Sequence, residues 1–408
     1  MSRFVCKGIR LWLMCMGFAG LLGCSAPAQQ PSPNLLITGA DPAQLGTGAA
    51  LSEDGHLHIV VKEGEHLVLY TSSDLGAHWS LPQHINTHPE AISADGENRP
   101  KVALARDGSL LVSWTQPLDK RFTGYIRLAR APHGKTFDAP ITVHRDRSEI
   151  THRFESLLVT EDGEVLLVWI DKRDMESAHA AGLDYRGAGI YAAVSTDHGQ
   201  SFAPEFKLAD HSCECCRIAL AEGVDGAPLA LWRHVFEPNE RDHALMHLGD
   251  LPHFAAQSDQ FLFDALQRVT FDRWAIDACP HHGPGLAVTD DGTLHSVWFN
   301  VREGEGRVFY GRLGADAPSG QRTVGGSLAA HADLAARGQS ITLVWNEFDG
   351  EQTHLYTQFS FDNGDTFAPP RRLSSTRGRV DQPRLAQSGD TLVVVWHTET
   401  NGVEVHRL

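Results

Sequence analysis

The sequence predicts an all-β protein of the propeller type, with seven blades as the leading count and six as the alternative. Three observations carry this. A unit made of a short apolar segment, a Gly-containing turn and an alternating apolar strand ending in Trp recurs at roughly 47 to 66 residues, the period of arrays whose units are too small to bury their own apolar faces. Most of the turns are Asp-Gly between strands of period-two alternation, a hairpin signature. Between several copies lies a second repeated turn, Ser-x-Asp-x-Gly-x-x-aromatic, at Ser72 to Trp79, Ser195 to Phe202 and Ser360 to Phe367.

Taken in order, residues 1–23 place Arg3, Lys7 and Arg10 before an apolar run from Leu11 to Leu22 that is too short for a good membrane span. This reads as a secretion signal. It ends in Leu21-Leu22-Gly23-Cys24, which resembles the bacterial lipobox. That resemblance implies cleavage before Cys24, a lipid on its thiol and a place in the bacterial envelope, with Ser25 favouring the outer membrane. Residues 24–33 are then a Pro/Gln/Ser tether, and residues 34–408 one repeat-built domain.

The repeats follow. A first copy without Trp runs from Leu51 to Val61 around Asp54-Gly55. The others end at Trp114, Trp169, Trp232, Trp298, Trp345 and Trp396, turning at Gly108, Gly163, Gly226, Gly292, Gly338 and Gly389. The last unit, Gln382 to Leu408, has room for only three strands, whereas Asn34 to Gly39 is an orphan apolar strand. Joining the two closes a ring and removes exposed sheet edges.

Composition limits the partners. The formal charge is −16, and removal of residues 1–23 makes the remainder more negative. Phosphate binding needs a basic stripe that is absent here, so nucleic acid is not an expected partner. No second apolar run reaches membrane length, leaving the lipid as the expected anchor, and the chain is expected to be a monomer.

With strands A to D in each unit, the D-to-A and B-to-C connections share the end opposite the Ser-x-Asp-x-Gly turns. That places Asn98-Arg99, His152-Arg153, His211 to Arg217 and Asp277 to His282 on one rim. The long B-to-C connections add Asp171 to Asp174, the Tyr185-Arg186 stretch, and Arg233-His234 through Arg241-Asp242-His243. Arg153, Arg173, Arg217, Arg233 and Arg241, with Asp242, form a constellation suited to an anionic ligand, because guanidinium binds carboxylate bidentately.

The Ser-x-Asp-x-Gly turns resemble the Asp-box, or bacterial neuraminidase repeat, with a worn copy at Gly134-Lys135-Thr136-Phe137. In that family the turn joins the third and fourth strands of a blade. The third unit is similar to a sialidase first blade, with His152-Arg153-Phe154 where that family has Arg-Ile-Pro. The resemblance implies that Arg153 and Arg173 bind a sialic acid carboxylate and that Asp174 or Asp184 serves as acid/base, with Glu214 a third carboxylate candidate. Such enzymes use a Tyr nucleophile, and here Tyr310 and Tyr356 fall on predicted third strands instead of late rim loops. Sialidases also have six blades. Over most of its length the chain resembles secreted bacterial sialidase-like proteins carrying Cys-x-Cys-Cys and Cys-Pro-His-x-Gly.

Besides Cys24, the cysteines beyond the signal are Cys213, Cys215, Cys216 and Cys279. An even number in an oxidising compartment fits two disulfides. A Cys215-Cys216 bond would be strained, so Cys279 is the expected partner of one of the triplet. The alternative is a copper or zinc site using these thiolates with His211, His281 or His282. A mixed state, one disulfide and two thiols, is a third reading. Three functions therefore stand side by side: an anionic-glycan binder or exo-sialidase-like hydrolase, a metal-binding envelope protein, and an interaction scaffold.

Overall fold

The computed structural model describes residues 34–37, 40–249, 266–278 and 280–408. The signal, the lipidation candidate Cys24, the tether and Cys279 lie outside them. The described chain is strand, turn and connection, with one short helix.

Up-and-down antiparallel units follow one another. The first holds β1 (Gly48–Leu51), β2 (Leu57–Glu63), β3 (His66–Ser72) and β4 (Gln83–His84), and the second β5 (Lys101–Leu104), β6 (Leu110–Pro117), β7 (Gly124–Ala131) and β8 (Ile141–Thr142). The third holds β9 (His152–Val159), β10 (Val165–Asp171), β11 (Ala188–Ser195) and β12 (Phe206–Ser212). The fourth holds β13 (Ala219–Glu222), β14 (Pro228–Phe236), β15 (Glu240–His247) and β16 (Gln267–Arg268), and its sheet joins that of the third where Ser212 of β12 pairs His234 of β14. The fifth holds β17 (Gly285–Val288), β18 (Leu294–Arg302), β19 (Glu305–Arg312) and β20 (Ser319–Val324). The sixth holds β21 (Ala329–Arg337), β22 (Ser340–Phe348), β23 (Thr353–Ser360) and β24 (Arg371–Thr376).

The seventh unit has three strands, β25 (Arg384–Ser388), β26 (Thr391–Thr398) and β27 (Gly402–Arg407). Leu35 supplies the missing edge by exchanging backbone bonds with Val403, 3.1 Å one way and 2.9 Å the other. Gly402 permits the approach: its φ is +72°, and a Cβ there would fall 2.4 Å from the Leu35 carbonyl oxygen.

The cores lie between units. β10 is buried at every position because both its faces are covered. Apolar clusters join each pair of successive units, among them Val60, Leu67 and Trp114 for the first and second and Tyr310, Leu334 and Trp345 for the fifth and sixth. Another joins Val393 and Val395 of the seventh to Leu57, Ile59 and Leu35. The six repeat tryptophans are all fully buried. Four of them donate their indole N–H to a carboxylate: Trp114 to Glu90, Trp169 to Asp171, Trp298 to Asp272 and Trp345 to Glu347, at 2.8 to 3.0 Å.

The Ser-x-Asp-x-Gly turns join third to fourth strands. In each the Asp carboxylate accepts the N–H four residues on, at 2.8 to 2.9 Å, and the Ser hydroxyl accepts the Gly N–H. Their aromatics, Trp79, Phe202 and Phe367, pack on the cores.

Two expectations need correction. The segment after β10 is not all loop: α1 (Arg173–Ala180) is a two-turn helix with Asp174 and Glu176 in its first turn and no buried residue. The fourth unit has no long B-to-C connection, because β14 and β15 pair as far as Phe236 and Glu240. Arg233, Arg241 and Asp242 are strand residues whose side chains turn inward.

Candidate functional site

The first strands of all seven units line one narrow cavity of about 290 Å³, reached by Ala49, Lys101, Leu157, Ala219, Leu286, Asp333 and Leu385. Ion pairs knit this channel together. Arg99 holds Asp381 bidentately at 2.7 Å, with both side chains buried. Arg384 reaches Asp333 at 3.6 Å and Lys101 reaches Glu155 at 3.8 Å.

A second cavity, of about 460 Å³, is lined by Asp95, Gly96, Glu97, His281, His331, Asn346, Asp381 and Gln382, with Leu328 and Phe348 beside them. Leu328 and Phe348 are 56% and 46% exposed. An open aromatic edge beside converging polar groups is the make-up of a ligand site. Glu97 sits at its floor. It accepts the backbone N–H of Arg217 at 3.2 Å and of Gly283 at 3.3 Å, and faces the Arg217 guanidinium at 3.4 Å and His331 Nδ1 at 3.9 Å. Burial alone would raise its carboxyl, but Arg217 and His331 hold it well below the usual range. His331 has φ +54°, inside a register shift between Ala330 and Asp333. Such a bulge turns a side chain out of the pleat. With Nδ1 toward Glu97, its Nε2 faces away from the carboxylate. His282 stacks between His331 and Phe299, at 4.4 and 4.2 Å, and burial lowers it to about 3.

The predicted arginines are mostly committed elsewhere. Arg173 is held by Asp171 through two bonds of 3.0 and 2.8 Å, by Glu205 at 3.2 Å, and lies over the Tyr191 ring. Arg217 also donates to the carbonyls of Pro284 and Ala332, at 2.8 and 2.7 Å. Arg233 is fully buried and donates to the carbonyls of His282 and Phe299. Asp242 is buried against Arg268 and accepts the N–H groups of Asp272 and Arg273. Arg173, Arg217, Arg233 and Asp242 are thus engaged within the protein, with Arg233 Nε left unbonded. Arg153 keeps more freedom, 3.9 Å from Asp95 and over the Phe154 ring. Arg241 is buried with its Nε unbonded.

Asp174 accepts the Tyr191 hydroxyl at 2.9 Å on α1, Asp184 is exposed beyond that helix, and Glu214 pairs with Lys172. The tyrosine expectation holds in position: Tyr310 and Tyr356 are on β19 and β23, with the Tyr310 hydroxyl 2.7 Å from His295 Nδ1.

Cys213, Cys215 and Cys216 are buried together, with Sγ atoms 4.0 Å apart for 213 and 215 and 3.7 Å for 213 and 216. The neighbouring thiols of Cys215 and Cys216 lower that of Cys213, whereas burial raises that of Cys216. The disulfide to Cys279 lies outside the described residues. His281 is exposed, its ring 6.4 Å from that of Phe154, and lines the mouth cavity. Neither His281 nor His282 joins the thiol cluster.

Asp95, Glu97, His331, Asn346 and Phe348 were not singled out in the sequence. Only Asp95 and Glu97 carried a signal, as neighbours of Asn98-Arg99 in a D-to-A connection.

No family model and no curated protein matches this sequence. Solved structures do resemble it. An ulvan lyase bound to a GlcA(1-4)Rha3S ligand superposes with a TM-score of 0.59 at 9% identity, covering 93% of this chain and 95% of its own. A second polysaccharide lyase gives 0.55 at 11%, covering 94% of each chain. The α-L-arabinofuranosidase of Fusarium graminearum with arabinobiose gives 0.50 at 13%, over 77% of this chain and 90% of its own. At these identities the likeness is one of fold. Two of the three are named as polysaccharide lyases and one as an arabinofuranosidase; none is named as a sialidase.

Proposed function

We propose that the seven units close into one propeller ring and that the mouth cavity binds and acts on a carboxylate-bearing glycan. Closure is supported by the cluster joining the seventh unit to the first and by one channel touched by every first strand. The observation that carries the function is the convergence of His331, Asp95 and exposed Phe348 on one cavity above Glu97. Of the three carboxylates lining it, Glu97 and Asp381 are tied to buried arginines, so a two-carboxylate hydrolysis is poorly served. An imidazole 3.9 Å from a buried carboxylate is instead suited to moving a proton at a sugar carbon next to a carboxylate, with Arg153 3.9 Å from Asp95 as a cation for that carboxylate. That the neighbours by fold include an enzyme with a uronate-containing ligand agrees with this reading.

The test is incubation with uronate polysaccharides, arabinan and sialosides, following unsaturated products, reducing ends and free sialic acid separately. Unsaturated ends from a uronate substrate support the proposal. Release of sialic acid alone would replace it with the sialidase reading. We also infer export and lipid attachment at Cys24, which a Cys24→Ala variant recovered without lipid in the soluble fraction would support.

A further inference from the structure

We infer that Cys213, Cys215 and Cys216 form a three-thiolate site for one soft metal ion, with monovalent copper as the best match. The inference is independent of the glycan site. The three Sγ atoms lie within 4.8 Å of one another. Sulfurs held at about 2.3 Å from one metal stand about 3.8 Å apart at tetrahedral angles and about 4.0 Å apart in a trigonal plane. The separations of 3.7 and 4.0 Å found here match that spacing; a disulfide needs about 2.05 Å.

Cysteines buried only as small apolar residues have no reason to face one another, and three within four positions would ordinarily point apart. Here a turn over residues 213–216 wraps them inward. Both ends of that turn are pinned by buried bonds: the Cys213 N–H donates to the Arg233 carbonyl at 2.9 Å, and the Arg217 N–H donates to Glu97 at 3.2 Å. The pocket is therefore built before any ion arrives, and its walls, Phe154, Ile218 and Trp232, are apolar.

The donor set selects the ion. Among the described residues no imidazole or carboxylate joins the three sulfurs. Thiolates are soft donors, and soft donors suit copper(I). Three thiolates around a monovalent ion leave two negative charges, and the positive charges of Arg233 and Arg241 favour the anionic form of Cys213. Binding displaces three thiol protons, and no electron is transferred.

The experiment is an anaerobic titration of the reduced full-length chain with copper(I) against a chromophoric chelator, with zinc(II) in parallel. One equivalent of copper is expected, with thiolate-to-copper absorption, about three protons released, and protection of Cys213, Cys215 and Cys216 from alkylation by peptide mapping. Cys213→Ser and Cys216→Ser should weaken binding by roughly 100-fold, and circular dichroism shows that each variant is folded. The alkylation map of the wild-type chain needs no variant and decides the matter alone. Absence of copper protection at the three cysteines would overturn the site, as would a native disulfide between two of them. Zinc bound ahead of copper would overturn the choice of ion.

Discussion

Glu97 and Arg217, 120 residues apart in sequence, meet beneath the mouth cavity with their side chains almost wholly buried, joined by a backbone bond of 3.2 Å and a guanidinium contact of 3.4 Å. This pair binds the second unit to the fourth and supports His331. Removing one partner strands the other charge away from water. Glu97→Ala is expected to lower stability by about 3–5 kcal/mol, read as a shift in denaturant midpoint. A loss below about 1 kcal/mol would mean that water reaches Arg217 in solution.

Gly283 lies against the same arginine. A Cβ there would stand 2.3 Å from Arg217 Cγ and 2.6 Å from its backbone nitrogen. Gly283→Ala should cost about 1–3 kcal/mol through overpacking, seen as a lower melting temperature. An unchanged melting temperature would show that the loop before β17 yields freely.

Buried histidines set the acid response. Burial lowers His144, His234 and His282 to about 3. Each resists protonation when folded but accepts a proton near pH 6.5 when unfolded, so its contribution is present above about 6.5 and is lost as pH falls toward 3. By pH 5 each should cost on the order of 2 kcal/mol. Glu97, held low in the folded chain, adds a further loss below the ordinary carboxylate range. Denaturant midpoints between pH 8 and pH 4 should fall steadily below 6.5. A flat profile from 6.5 to 5 would contradict this burial.

Much of the fold was legible because its signals are local. Asp-Gly turns, the strand-ending tryptophans and the Ser-x-Asp-x-Gly turns each act over a few residues, and the orphan strand before Ala40 found its place at Val403 from a count of strands. α1 was missed because it buries nothing and so shows no apolar stripe. The site was less legible. Rim position was readable for Arg173, but Asp171 and Glu205 claim it through contacts that spacing does not reveal. His331 escaped notice because its exposure comes from a backbone bulge, which Ala329 to Ala332 do not announce.

We propose that the mouth cavity, with Arg153 beside it and not Arg173, holds the ligand. The most direct measurement is equilibrium titration of a uronate polysaccharide into the wild-type chain and into Asp95→Ala, His331→Ala and Arg173→Ala, each verified as folded. The account predicts at least tenfold weaker binding for Asp95→Ala and His331→Ala, worth about 1.4 kcal/mol, and near-native affinity for Arg173→Ala. Unchanged affinity in the first two with loss in Arg173→Ala would contradict it.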